Sequence, residues 1–292
     1  MAIKGILKFD FSGGLEESET QEIGPFKWSV KKEEFGRELG GEWLEYYEFI
    51  LTCRPINNNR TCLWKCWCST TDHNKWYHAF DQTETDVQLC SEEMRYEDYP
   101  SIGSINIEIQ KRSFCIDFSD PKNALIKDAS DAVKVRVDGE DIWLSKEVLS
   151  SKSPFFDALF NRDFKEKTTN SYALHDVKIE EFKPFLGLLH DLEVDIEFKS
   201  VGYLMKLADE YHCKSVTDKC ADRLLIRSPA FFPVEEKIRL ADKYQLREVL
   251  VKLLDKMSLG ELKTLPWRIV KQGLDLSESV LRMIEAKKAS LM

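Results

Sequence analysis

No stretch of the 292-residue sequence stays apolar for the ~18 residues that a membrane-spanning helix requires. A surplus of positive charge is missing too. The chain has 42 Lys and Arg against 51 Asp and Glu, a formal net charge of −9, which repels phosphate backbones and excludes a general nucleic-acid binder. Histidine is scarce, with five residues in all. There is no Gly-rich phosphate loop, no His-Glu-x-x-His and no Gly-x-Ser-x-Gly, so an enzymatic reading has little to stand on and no cofactor is expected. The first ten residues carry Ile3, Ile6 and Leu7, but Lys4, Lys8 and Asp10 break the patch, and the h-region and cleavage site of a signal peptide are lacking. The expectation is a cytoplasmic or nuclear protein with reduced thiols. Apolar residues make up 43% and charged residues 32%, an ordinary globular balance that excludes wholesale disorder.

What is present is unevenly distributed. Residues 1–120 hold 13 Lys and Arg against 22 Asp and Glu, so the whole surplus of nine negative charges lies there; the remainder balances at 29 of each. Five of the seven Trp and six of the eight Cys also fall in the first 120 residues. Such a change of composition predicts two domains.

The first part is patterned for strands. Phe26, Trp28 and Val30 alternate with polar residues, as do Phe49, Leu51 and Cys53. Cys62, Trp64, Cys66 and Cys68 share one parity, and Ile105, Ile107 and Ile109 another run. Period-2 aromatic and β-branched residues between turn signals such as Gly13-Gly14 and Gly24-Pro25 predict a β-sandwich. Cys62-x3-Cys66-x-Cys68 with His73 and His78 invites a zinc reading. Structural zinc takes Cys pairs on a tight knuckle, whereas these three lie along one strand face, where thiols serve as small hydrophobes; no metal is expected. Residues 119–131 are polar and turn-like and predict a linker, with room for a short helix at Leu125 and Ile126.

The second part changes period. Val133, Val135 and Val137 alternate, Asp138-Gly139 signals a hairpin, and Ile142-Trp143-Leu144 returns. Ser145 caps a helix with Glu147 in its first turn, and Ser153-Pro154 starts another that carries Phe155, Phe156, Leu159 and Phe160. Tyr172 and Leu174 predict a third strand. Phe182, Phe185, Leu186 and Leu189 predict an amphipathic helix that begins shortly before Pro184 or kinks there. Ser200 is read as the cap of the next helix, Pro266 as an interruption, and 274–284 as the last helix. Leu207-Ala-Asp-Glu-Tyr211 recurs 33 residues later as Leu240-Ala-Asp-Lys-Tyr244, which is read as a packing face shared by two helix pairs and not as a solenoid.

The run Asp131 to Glu140, then Leu144-Ser-Lys-Glu-Val-Leu-Ser-Ser-Lys-Ser-Pro-Phe-Phe-Asp-Ala-Leu-Phe160, closely resembles a BTB/POZ domain. Leu174 to Phe185 and Leu207 to Cys220 resemble its later elements. The chain departs from that family at Ser145, where His is frequent, and at Leu189-His-Asp-Leu-Glu193. Ahead of it, Phe26 to Val30, Phe49 to Cys53, Trp64-Lys-Cys66 and Ile105 to Ile109 resemble a MATH domain, a sandwich that binds substrate peptides. The resemblances imply a MATH-like β-sandwich at 1–118, a linker at 119–129, an α/β BTB domain at 130–227 and a helical extension at 228–292.

MATH–BTB proteins are typically adaptors of cullin-RING ubiquitin ligases, so the resemblance implies a non-catalytic bridge between protein substrates and a cullin. Phe164-Lys165-Glu166 falls where cullin-binding members carry a hydrophobic–x–Glu motif, which assigns cullin contact to Phe164 and Glu166. An aromatic in a polar loop can fill a partner's pocket, and a carboxylate two residues on can fix orientation. The resemblance also implies a homodimer, with Val148, Leu149, Phe155 and Phe156 at its interface. The alternative is a BTB homodimer that organises a transcriptional or scaffold assembly without a cullin. The residues that hold substrate are not legible.

Overall fold

The computed structural model describes residues 2–39, 42–70, 76–88, 102–161, 171–226, 233–273 and 275–292; for 34–47, 76 and 171 this covers the backbone alone. The chain divides into two compact units, Met1–Ala132 with Glu140–Trp143, and Val133–Gly139 with Leu144–Met292.

The first unit is a β-sandwich. One sheet runs β1 (Ile3–Asp10), β8 (Ile102–Ile109), β5 (Cys62–Thr70), β6 (Trp76–Asp81), with β9 (Phe114–Asp117) also paired to β5. The other runs β2 (Gln21–Ile23), β3 (Phe26–Leu39), β4 (Glu42–Pro55), β7 (Asp86–Gln88). The alternation in the sequence decides which side faces in. Trp28, Val30, Leu51 and Cys53 from one sheet meet Cys62, Trp64, Cys66, Cys68, Ile107 and Ile109 from the other in a single buried cluster. Aromatic edges lock the layers: Trp28 meets Phe80 edge-on at 5.6 Å between ring centres, and Phe26 lies 5.8 Å from Trp64. At Gly5 the sheets approach so closely that a Cβ would lie 2.6 Å from Ile23, so only glycine fits there.

Residues 119–131 form successive turns and no helix. Asp117, Asp120, Asn123 and Asp128 each accept a backbone N–H from two residues on, which ties the backbone into local loops in place of helical bonds. Within the same unit the Asn123 side-chain amide donates to Trp143 O, and Trp143 N–H donates to Phe118 O.

Next in the chain comes the hairpin β10 (Ala132–Val137) and β11 (Glu140–Ser145). Asp138 and Gly139 both adopt positive φ, 53° and 82°, the backbone that a two-residue hairpin turn requires. β12 (Ser171–Leu174) runs parallel to β10, giving the order β11–β10–β12. Then come α1 (Lys146–Lys152), α2 (Pro154–Asn161), α3 (Ile179–Leu189), α4 (Phe198–Glu210) and α5 (Lys214–Leu225). α3 is buried on more faces than an amphipathic surface helix, from Phe185 through Leu189 without a break, and so is the central helix. It begins at Ile179 and runs through Pro184.

α6 (Val234–Lys243), α7 (Arg247–Asp255), α8 (Leu259–Lys271) and α9 (Glu278–Ser290) complete nine helices among the described residues. Three expectations fail here. Ser200 is the third residue of α4; its hydroxyl accepts the Glu197 N–H at 2.8 Å, so Glu197 is the cap. Pro266 lies inside α8, which continues past it because Leu262, Leu265 and Ile269 bury a stripe across it and Ser258 with Glu261 forms a capping box at its start. The last helix starts at Glu278 because Ser277 caps it, held by Asp242, and it runs on to Ser290.

The 33-residue repeat is a repeated helix-turn-helix. Tyr211 N–H bonds Leu207 O, His212 N–H bonds Asp209 O and Cys213 N–H bonds Ala208 O; Tyr244, Gln245 and Leu246 make the same three bonds to Leu240, Asp242 and Ala241. His212 and Gln245 both adopt the left-handed conformation, at φ 53° and 55°. Each motif is therefore a Schellman-type helix stop followed at once by a new helix.

Asp191 clamps the end of α3. Its carboxylate accepts from the ammonium groups of Lys152 and Lys219, which also donate to Leu189 O and Leu188 O at 2.5 and 2.6 Å. Two cations thus sit at the negative end of the central helix. Hydrogen bonds from Lys152 and Lys219 hold the Asp191 carboxyl at about 2. A depressed carboxylate contributes stability above its unfolded value and loses it as pH falls through the folded one. The side chain is 65% exposed, so water screens most of that gain. Asp191→Asn is expected to lower stability by ~0.5–1 kcal/mol at neutral pH, read from the urea midpoint. The gap from the parent should shrink as pH falls from 3.8 towards 2.

Candidate functional site

Ser153 sets the geometry of the second unit's apolar face. It is fully buried, its hydroxyl accepts from Phe156 N–H at 3.1 Å and donates to Tyr211 O at 2.6 Å. It therefore caps α2 and ties that helix to the end of α4. The Tyr211 ring lies against Phe155, Phe156, Phe182 and Phe185, with centres 5.0 to 6.1 Å apart. Burial pushes the Tyr211 hydroxyl up, so it stays neutral.

The four residues expected at a dimer interface separate by depth. Leu149 and Phe156 are completely buried in their own unit's core. Val148 and Phe155, on neighbouring helices α1 and α2, keep partial exposure. Phe164 and Glu166 lie outside the described residues, between the end of α2 at Asn161 and the start of β12 at Ser171.

Cys62, Cys66 and Cys68 point into the sandwich core, at 2%, 0% and 0% exposure. Among the described residues no group of His, Cys, Asp and Glu has the arrangement of a metal site. His73 lies outside them, and His78 stacks edge-on against Phe80 at 4.7 Å. Burial lowers the His78 pKa, against the pull of Glu84 and Asp81, so the imidazole stays neutral. Burial likewise pushes Cys68, Cys213 and Cys220 up, the last two to about 11 and about 12.

The sandwich offers two surface grooves that sequence reasoning did not find. One, about 570 Å³, crosses the sheet of β3 and β4 and is lined by Ser29, Lys31, Ile50, Thr52, Arg54 and Asp86. The other, about 560 Å³, lies by β5 and β6 and is lined by Trp67, Tyr77, His78, Gln110 and Arg112. There the Arg112 guanidinium stacks 3.6 Å from the centre of the Trp67 ring and the Lys65 ammonium sits 4.5 Å from it. The Trp67 indole N–H is shielded from water and has no hydrogen-bond partner among the described residues. The available signal was the odd parity of β5: a Trp between Lys65 and Ser69 points away from the apolar cluster.

The hairpin, the parallel third strand and the helices packed around α3 lie within one stretch of sequence that a known domain family matches. The BTB/POZ domain family matches residues 125–228. The chain is a BTB/POZ-domain protein. A sandwich ahead of that domain is what a MATH–BTB arrangement has, and two of the relatives carry both domains in their names. BTB and MATH domain-containing protein 38 of Caenorhabditis elegans is 28% identical over 156 residues, 53% of this chain and 38% of the relative. BTB and MATH domain-containing protein 36 of the same organism is 30% identical over 132 residues, 45% of this chain and 37% of the relative. A human protein, Kelch repeat and BTB domain-containing protein 4, is 25% identical over 166 residues, 53% of this chain and 31% of the relative. The chain thus spans well under half the length of these relatives. No helix among the described residues is long and apolar enough to cross a membrane.

The depth of the BTB side chains ranks their cost. Leu149→Ala and Phe156→Ala are each expected to lose ~3–4 kcal/mol in chemical denaturation, and Val148→Ala about 1 kcal/mol. Equal losses at all three positions would contradict this ranking.

Proposed function

We propose that this protein is a non-catalytic adaptor. The MATH-like sandwich holds a segment of a protein substrate, and the BTB domain docks the cullin scaffold of a RING ubiquitin ligase. Other subunits transfer ubiquitin, and the adaptor contributes proximity. The observation that carries this reading is the coexistence, in one chain, of a BTB/POZ domain at 125–228 and a sandwich whose surface has two grooves.

The BTB domain pairs two-fold with a second copy, through a face that includes Val148 and Phe155, the two of the four expected residues that retain exposure. Leu149 and Phe156 support that face from beneath. A dimer presents two sandwiches, which raises avidity for substrates with more than one recognised segment. Cullin contact is assigned to Phe164 and Glu166, the aromatic filling a partner pocket and the carboxylate accepting hydrogen bonds. The sandwich takes its substrate in one of its grooves, where backbone and side-chain polar groups flank Ile50 on one sheet and Trp67 on the other.

A BTB assembly module without a cullin is the competing reading. Co-purification separates the two. Phe164→Ala combined with Glu166→Ala is expected to lower cullin recovery tenfold or more, on the order of a hot-spot loss, while light scattering still reports a dimer. Unchanged recovery would remove the site assignment, and no recovery with the parent chain would favour the assembly module.

A further inference from the structure

The five described cysteines of the first 120 residues differ in one respect that packing alone does not explain. The sulfurs of Cys62 and Cys115 are 3.7 Å apart, close enough for one thiol to hydrogen-bond the other. They belong to adjacent antiparallel strands, β5 and β9, where Cys62 faces Asp117 and Cys115 faces Trp64. The two are therefore diagonal neighbours on the same, inward face of the pair. An S–S bond of ~2.05 Å asks for an approach of only about 1.7 Å between the sulfurs, within the reach of side-chain rotation.

Their environments are also unequal. Cys62 is 2% exposed, whereas Cys115 is half-buried at the margin of the sandwich. A hydrogen bond from the Cys62 thiol lowers the Cys115 pKa, outweighing burial and the Asp117 carboxylate, which raise it. Cys53 and Cys66 also touch, but both are 0% exposed and burial drives the Cys53 thiol far up, away from the reactive thiolate. Among the described residues only one of the two contacts thus combines a half-buried cysteine with a stabilised thiolate.

We propose that Cys62 and Cys115 form a reversible intrachain disulfide when the protein meets a peroxide, with Cys115 as the attacking thiol and Cys62 as the resolving one. The Cys115 thiolate attacks one oxygen of hydrogen peroxide, forming the S–OH bond of a sulfenic acid and releasing hydroxide, which takes up the proton lost from Cys115. The Cys62 sulfur then attacks the sulfenic sulfur, the S–S bond forms, and hydroxide leaves and takes the Cys62 proton as water. In total two thiols and one peroxide give one disulfide and two waters, and a dithiol reductant reverses the step. The bond staples β9, which is held to β5 by four residue pairs, and closes a long loop, so it restricts the unfolded chain most.

The test uses the full chain, reduced, freed of reductant and exposed to a small molar excess of hydrogen peroxide. It is then alkylated and digested without reductant for mass spectrometry. The expected result is loss of two of the eight alkylatable thiols, a linked peptide containing Cys62 and Cys115, and recovery of both with dithiothreitol. The oxidised chain should also melt at a higher temperature than the reduced one. Cys115→Ser should abolish the link and keep Cys62 alkylatable, and Cys115→Ala repeats the comparison should the serine variant fold poorly. The proposal is overturned if all eight thiols still react, if the link involves Cys53, Cys66 or Cys68, or if it joins two chains.

Discussion

The hydroxyl of Ser153 lies where three parts of the BTB domain meet, and it has no water to fall back on. It accepts from Phe156 N–H at the start of α2 and donates to the carbonyl of Tyr211 at the end of α4. A buried hydroxyl that uses both its donor and an acceptor site fixes two backbones at once. Tyr211 in turn places its ring against residues of α2 and α3. The direction in which α2 leaves this point decides where Phe155 emerges.

The same neighbourhood explains the repeat. The carbonyl that Ser153 uses belongs to the last residue of Leu207 to Tyr211, and the stop that follows is copied, bond for bond, after Leu240 to Tyr244. In the first copy Val216 and Cys220 return to the core; in the second Val249 and Leu253 stand at the corresponding places. The helical extension thus continues the device that ends the BTB domain. The five repeated letters were legible, but their meaning as a helix stop was not. A left-handed stop is ordinarily signalled by Gly or Asn, and here His212 and Gln245 adopt it. Both residues are exposed, and the stop is closed by backbone bonds that any residue can make.

Where local chemistry and tertiary packing agree, the sequence was readable. Asp138-Gly139, Ser145 as a cap and Ser153-Pro154 all act within a few residues of themselves, and the strand alternation of the sandwich names its buried side correctly because both sheets need one apolar face. Where the two disagree, packing prevails. Pro266 costs α8 a backbone bond, yet three buried residues spaced along one stripe hold the helix together through it. Ser200 looks like a cap, but the preceding Glu197 takes that place and the hydroxyl serves it from inside the helix. The grooves were invisible for a different reason: Trp67, Tyr77 and Arg112 are far apart in sequence, and only the pairing of β5 with its neighbours brings them to one surface. Val148 and Phe155 could not be told from Leu149 and Phe156, since all four are apolar and depth is a tertiary property.

The cysteines show how one residue type takes different chemistry from its depth. In the middle of the sandwich a thiol is surrounded by aromatic and aliphatic groups, which cannot solvate a thiolate; Cys53 and Cys68 are accordingly pushed up and behave as small apolar spacers. At the margin the balance changes. β9 lies off the main strand order of its sheet, Cys115 is only half covered, and the neighbouring Cys62 offers it a hydrogen bond. A difference in cover from 0% at Cys66 to a half-buried Cys115 separates an inert core from a nucleophile, within one alternating pattern in which every thiol looks the same in sequence.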